Sequence, residues 1–155
     1  MPDVARLLRN NVLDLGLAGD EWLMETGGSS DRRCFEARSY EASVCLLMAE
    51  DDHRPLRRIR SVVTPYPRLA RSLLSATAPD LQIVPVSGSS EALVPDIADA
   101  CIEVVETGAS AALNGLVIRE SFARVTTHLA RSETIDLLAV AAVVDLLAGA
   151  LEVAR

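Results

Sequence analysis

The chain contains no lysine, so arginine carries every permanent positive charge among its 155 residues. Guanidinium groups stay charged and grip phosphate or carboxylate in bidentate fashion. Aromatic residues are scarce at 3%, and the single Trp22 is read as a core side chain rather than a stacking platform. Cys34, Cys45 and Cys101 are scattered and form no C-x-x-C pair. That excludes a disulfide framework or a zinc site of recognisable spacing, and reads as reduced thiols of a cytoplasmic protein. A long uncharged apolar run is missing too. The Ala/Leu/Val-rich stretch 135–153 is broken by Asp136, Asp145 and Glu152, and charges inside a membrane span are costly, so it reads as a buried or partner-covered helix. Arg6 and Arg9 interrupt the early apolar residues and argue against a signal peptide. The formal net charge of −7 argues against nonspecific binding to nucleic acid or to an anionic membrane.

Half of the residues are hydrophobic, ample for the core of one compact unit or of two small lobes. Helices are expected at 3–10, with Asp3 as cap, at 20–25, at 66–76, and at 133–154, with Ser132 as cap. Strands are expected at 12–18, 36–40, 42–49, 59–64, 81–86 and 101–105, and as one long or two shorter strands over 117–129. The run 42–49 is almost wholly apolar and therefore central. Gly27-Gly28-Ser29-Ser30 marks a flexible break. Strand, helix and strand over 59–86 form a parallel crossover unit. The predicted class is α/β, with 50–116 as one lobe and 1–49 plus 117–155 as the other.

The most informative stretch is VSGSSEALVPDIADACIEVVETGASAALNGL, residues 86–116. Its β-branched strand breaks at Thr107-Gly108-Ala109-Ser110 into an Ala-rich helical segment. A strand, a tight hydroxyl-bearing turn and a helix start present free backbone N–H groups to a phosphate. Thr107 and Ser110 add hydroxyl donors, and Glu103, set back on the strand, is placed to accept from ribose hydroxyls. Glu91, in SGSSE, either faces the same cleft or caps the segment that follows. His53, in Asp51-Asp52-His53-Arg54, belongs to a solvated loop, because no second ligand cluster accompanies it. His128 reads as a structural strand residue, and Arg57, Arg58 and Arg60 as a solvated basic face. Tyr66, between two prolines, shapes the turn into its helix.

The order and spacing of SGSSEA, IADACIEVVETGAS and NGL resemble the phosphoribosyl-diphosphate-binding segment of the ATP phosphoribosyltransferase family, the first enzyme of histidine biosynthesis. VVTPYPRLARSLL and DVARLLRNNVLDLGLAGDEWLME resemble two further segments of that family. The resemblance implies a two-lobed fold like a type II periplasmic binding protein. It implies attack of ATP on the anomeric carbon of phosphoribosyl diphosphate, with Mg²⁺-bound pyrophosphate leaving. It places the 5′-phosphate on Thr107, Gly108, Ala109 and Ser110, and the ribose hydroxyls on Glu103, with Glu91 nearby. Glu103 stands where the family has aspartate, and Ala109-Ser110-Ala111 replaces the usual residue-Thr-Leu. The family's N-terminal strand–helix segment, with its Pro-Lys-Gly-Arg-like motif, has no counterpart here, so the first lobe is expected to be incomplete. The ending resembles the short form, which works with a separate regulatory subunit, and a homo- or hetero-oligomer is expected. The alternative is a non-catalytic, partner-dependent or repurposed sugar-phosphate-binding domain on the same scaffold.

Overall fold

A computed structural model describes residues 2–27 and 33–153. The break expected at 27–30 lies, beyond Gly27, outside the described residues. Two compact units divide the chain, Met1–Tyr40 with Thr126–Arg155, and Glu41–Val125.

In the first unit, helix α1 (Pro2–Arg9) is followed by strand β1 (Leu15–Gly19) and helix α2 (Asp20–Glu25). Asp3 lies inside the first turn of α1, where it pairs with Arg6 at 2.7 Å, instead of capping the helix. The apolar face of α1 buries Ala5 and Leu8 beside Ala18, Leu23 and Ala130, and Trp22 packs against this cluster. Strand β1 pairs antiparallel with the end of β6 (Leu116–Arg131), from Leu15↔Arg131 to Gly19↔Thr127. That ladder brings His128 Nε2 within 3.2 Å of the Asp20 carboxylate, which Arg33 also meets at 2.7 Å. His128 is thus a half-buried strand residue that meets a carboxylate 108 positions away in sequence.

Helix α5 (Leu137–Val153) begins later than expected. The Ser132 amide continues the strand ladder by donating to the Asp14 carbonyl at 2.9 Å, and Asp136 caps the helix by accepting from the Leu138 amide at 3.0 Å. Among its described side chains, Leu138, Val143, Leu146 and Leu147 are exposed. Val140 is buried, and the described residues leave the other four uncovered, so the helix is only partly buried by them. Among the described residues, no helix is long and apolar enough to cross a membrane.

The second unit holds strands β3 (Ser61–Thr64), β4 (Gln82–Pro85) and β5 (Ala100–Val105), helices α3 (Pro67–Leu74) and α4 (Ala109–Leu113), and parts of β2 (Arg33–Ala49) and β6. The strand order here is β6-β2-β5-β3-β4. β3 runs parallel to both β4 and β5, as the strand–helix–strand pattern requires, and β2 runs antiparallel to β5 with Cys45 opposite Glu103. The apolar run of β2 is fully engaged: Val44 to Ala49 are all buried. Segments 36–40 and 42–49 are one continuous strand, and 117–129 is likewise a single strand. The core gathers Cys45, Leu47, Val63, Val94, Cys101, Val105 and Leu116.

Thr64 ends β3 fully buried. Its hydroxyl donates to the Ile102 carbonyl at 2.8 Å and accepts from the Tyr66 amide at 3.0 Å, which turns the chain into α3. Tyr66 is buried at this turn, in keeping with a shaping role. Because β3, β4 and β5 are parallel, their carboxyl ends lie on one side, where open α/β sheets bind ligands.

Candidate functional site

At the carboxyl end of β5 the chain leaves the sheet at Val105 and turns through Glu106, Thr107 and Gly108 into α4. Gly108 holds a left-handed conformation, φ +75°, which an L side chain adopts only at a cost, and it precedes the first residue of α4. The Thr107 hydroxyl accepts a long bond, 3.4 Å, from the Ala109 amide. Thr107, Ala109 and Ser110 are exposed, so this turn lies at the surface. Ala111 turns inward and packs in the core beneath.

Two carboxylates stand beside the turn. Glu103 sits on β5, four residues before Thr107, and is half-buried. Its Oε1 accepts from both the amide and the hydroxyl of Ser90, at 2.9 and 2.8 Å. Burial pushes the Glu103 carboxyl above its ordinary range. The Ser90 bonds oppose that shift, and the Glu91 charge adds to it. Glu91 opens a 3-10 turn (Glu91–Leu93) and is only 7% exposed. Its Oε2 accepts the hydroxyl hydrogen bond of Ser110. Glu91 thus both opens the 3-10 turn and reaches the Thr107–Ser110 turn. Cys101 lies below, and burial, reinforced by Glu103 and Glu91, pushes its thiol up to about 12 against the bond from Ser90, so it is inert.

The structure thus brings Glu91, Glu103, Thr107, Gly108, Ala109 and Ser110 together around one turn, all within the second unit. Ser90 is the member that sequence reasoning left without a role. It ties Glu103 to the 3-10 turn and so fixes where Glu91 starts. The signal available was its place in SGSSE, directly before the candidate carboxylate. His53 and Arg57, Arg58 and Arg60 are exposed away from any such cluster, in keeping with solvated roles. Among the described residues no group of three or more His, Cys, Asp or Glu side chains is placed to hold a metal ion. Two carboxylates remain beside the turn, and magnesium commonly takes one or two carboxylates with the rest of its shell from water and substrate phosphates. The donor set therefore fits a magnesium ion that arrives with a diphosphate.

The α/β fold is of a class that includes periplasmic-binding-protein-like domains. The Bordetella pertussis BvgS periplasmic VFT2 domain superposes with a TM-score of 0.53 at 20% identity, over 99% of this chain and 72% of that one. The chain belongs to the ATP phosphoribosyltransferase family, HisG, which it matches over residues 1–152. It is 31% identical over 128 residues to the ATP phosphoribosyltransferase of Listeria monocytogenes, an alignment covering 82% of this chain and 60% of the relative. The ATP phosphoribosyl transferase (HisG:HisZ) complex from Thermotoga maritima contains a chain of the same fold, with a TM-score of 0.85 at 21% identity over 97% of this chain and 76% of that one. The chain spans about 60% of the length of the curated relatives with the strongest matches.

Proposed function

We propose that the chain binds phosphoribosyl diphosphate at the Thr107–Ser110 turn and serves its transfer to ATP, with release of pyrophosphate. The observation that carries this reading is the turn itself: two hydroxyls and a left-handed glycine at the carboxyl end of a central strand, with Glu103 set back on that strand. Such a displacement needs positioning and charge neutralisation more than a protein nucleophile. The hydroxyls of Thr107 and Ser110 and the amides of Gly108 to Ser110 hold the 5′-phosphate, and Glu103 orients the ribose by accepting from its hydroxyls. Magnesium, when bound, neutralises the diphosphate leaving group, beside Glu91 and Glu103. The setting proposed is cytoplasmic, as for the biosynthetic family.

A second subunit, either another copy or a regulatory or complementing chain, belongs to the same proposal. The exposed apolar residues of α5 and the two-component character of the Thermotoga maritima assembly support it. Calorimetric titration with phosphoribosyl diphosphate and Mg²⁺, comparing the wild-type chain with Thr107→Ala/Ser110→Ala, tests the substrate reading. Loss of two charge-assisted hydroxyl bonds is expected to weaken binding by at least about tenfold. Added ATP should then release pyrophosphate. Failure of the folded wild-type chain to bind would remove phosphoribosyl diphosphate as its ligand.

A further inference from the structure

We propose that the outer face of α5 is the surface through which two copies of this chain pair, helix against helix and antiparallel about a two-fold axis. The inference rests on the second-subunit reading, from which it selects another copy as the partner, and is independent of what the Thr107–Ser110 turn binds. At about 3.6 residues per turn, Val140 and Val144 share one face of α5. Val140 is buried and Val144 half-buried, so this is the face the chain covers. Leu138, Ala142, Leu146 and Gly149 lie on the opposite face, and all four are exposed. The two leucines stand 84% and 72% exposed. A Cβ added at Gly149 would meet no other described part of the chain within 4 Å. Asp145 is exposed at the margin of this face rather than at its centre.

Large and small side chains alternate along this face, and their order is self-complementary. An antiparallel copy centred between Val143 and Val144 brings Leu138 to the level of Gly149, and Leu146 to that of Ala141 and Ala142. The two-fold axis repeats each contact, so the leucines of each copy fill the hollows over small residues of the other. A parallel pair would stack Leu146 on Leu146 and Ala142 on Ala142, bulk against bulk and void against void. Antiparallel helices also set their dipoles in favourable opposition, and Asp145 stays at the rim, where water screens it. The helix has 17 residues and is therefore about 25 Å long. Pairing over that length buries roughly 1,000 Å², the size at which specific interfaces begin. A lipid surface is the poorer occupant, because the net charge of −7 is repelled by an anionic bilayer. A partner of different sequence does not require the two halves of α5 to match each other, whereas a second copy does.

The test is sedimentation velocity over a dilution series of the wild-type chain, Leu146→Glu and Gly149→Leu, with circular dichroism confirming folding. Both positions are exposed in the single chain, so neither substitution disturbs its core. Wild type is expected to form a dimer. Leu146→Glu should raise the dimer Kd at least about a hundredfold, because the partner would bury an unpaired charge. Gly149→Leu adds apolar surface and helix propensity, yet should weaken the dimer about tenfold by filling the hollow that receives Leu138. Tighter association of Gly149→Leu would mean unspecific apolar contact and overturn the two-fold fit. A monomeric wild type overturns the pairing outright. A Leu146→Glu dimer as tight as wild type overturns it too, while leaving a second copy bound through another surface. Titration of the same samples with phosphoribosyl diphosphate reads the Thr107–Ser110 turn separately, so failure of the pairing and failure of the substrate reading are told apart.

Discussion

Gly108 shows how one backbone angle sets up the candidate site. Its φ of +75° lets the chain reverse from β5 into α4 within three residues, and the space around it is ordinary, with Val105 Cγ1 3.9 Å from where a Cβ would sit. Gly108→Ala therefore costs through the backbone rather than through a clash, about 1–2 kcal/mol. For a chain of this size the thermal midpoint should fall by about 3–8 °C. Ligand affinity should fall further than stability predicts, because relief of the strained φ re-aims the amides of Ala109 and Ser110. A variant with unchanged melting temperature and unchanged phosphoribosyl diphosphate affinity would refute this account of the turn. Thr107, Gly108, Ala109 and Ser110 were legible in the sequence because they are contiguous and their residue types carry the geometry. The Glu91–Ser110 bond was not, since it joins positions 19 apart and depends on how the loop after β4 docks against β5.

At the scale of elements, the end of β2 is held by a side chain from β6. Arg119 donates from one guanidinium nitrogen to the carbonyls of Ala49, Glu50 and Asp52, at 3.2, 3.0 and 2.6 Å. Beyond it, Arg54 bridges Asp52 and Asp99, and Asp99 in turn accepts from the Arg60 amide at the entry to β3. Arg119→Met keeps the aliphatic stem and removes the donor, and is expected to cost about 1–2 kcal/mol, since water reaches part of this loop. Urea unfolding reads the change, and a loss below about 0.3 kcal/mol would show that solvent replaces the clamp completely. The strands themselves were largely legible: the apolar run 42–49 announced a central strand, and 59–86 announced the parallel unit. The two long strands were harder to read. Glu41 and the polar residues of 119–124 interrupt the apolar pattern without interrupting the backbone ladder. The start of α5 was misplaced for a different reason: Ser132 looks like a cap but extends the strand ladder to Asp14, five residues before the helix begins. Apart from Asp145 and Glu152, helix α5 is apolar all round, so no clear stripe in its sequence says which face is covered.

For the whole molecule, the pH dependence of stability follows from carboxyl groups pulled in opposite directions. Burial raises Glu21, helped by the neighbouring Asp20, and burial likewise raises Glu103. As pH falls from neutrality these two groups take up protons in the folded chain before the unfolded chain does, so stability rises. The net charge of −7 shrinks over the same interval and relieves self-repulsion. Asp52 and Asp99 act the other way. Hydrogen bonds from Arg54 hold Asp52 down to about 2, and bonds from Arg60, Arg54 and Ser61 hold Asp99 below its ordinary value despite partial burial. Their contribution is complete above the unfolded carboxyl range, about pH 4, and is lost as pH drops through the folded values. The melting temperature should therefore climb from pH 7 to about pH 5 and fall below about pH 4. Glu21→Gln should flatten the climb, because the amide carries no charge to desolvate, while Asp52→Asn should weaken the fall. A melting temperature that declines steadily from pH 7 downward would mean that the buried carboxylates are compensated in the folded chain. The opposition between the two pairs would then not govern its stability.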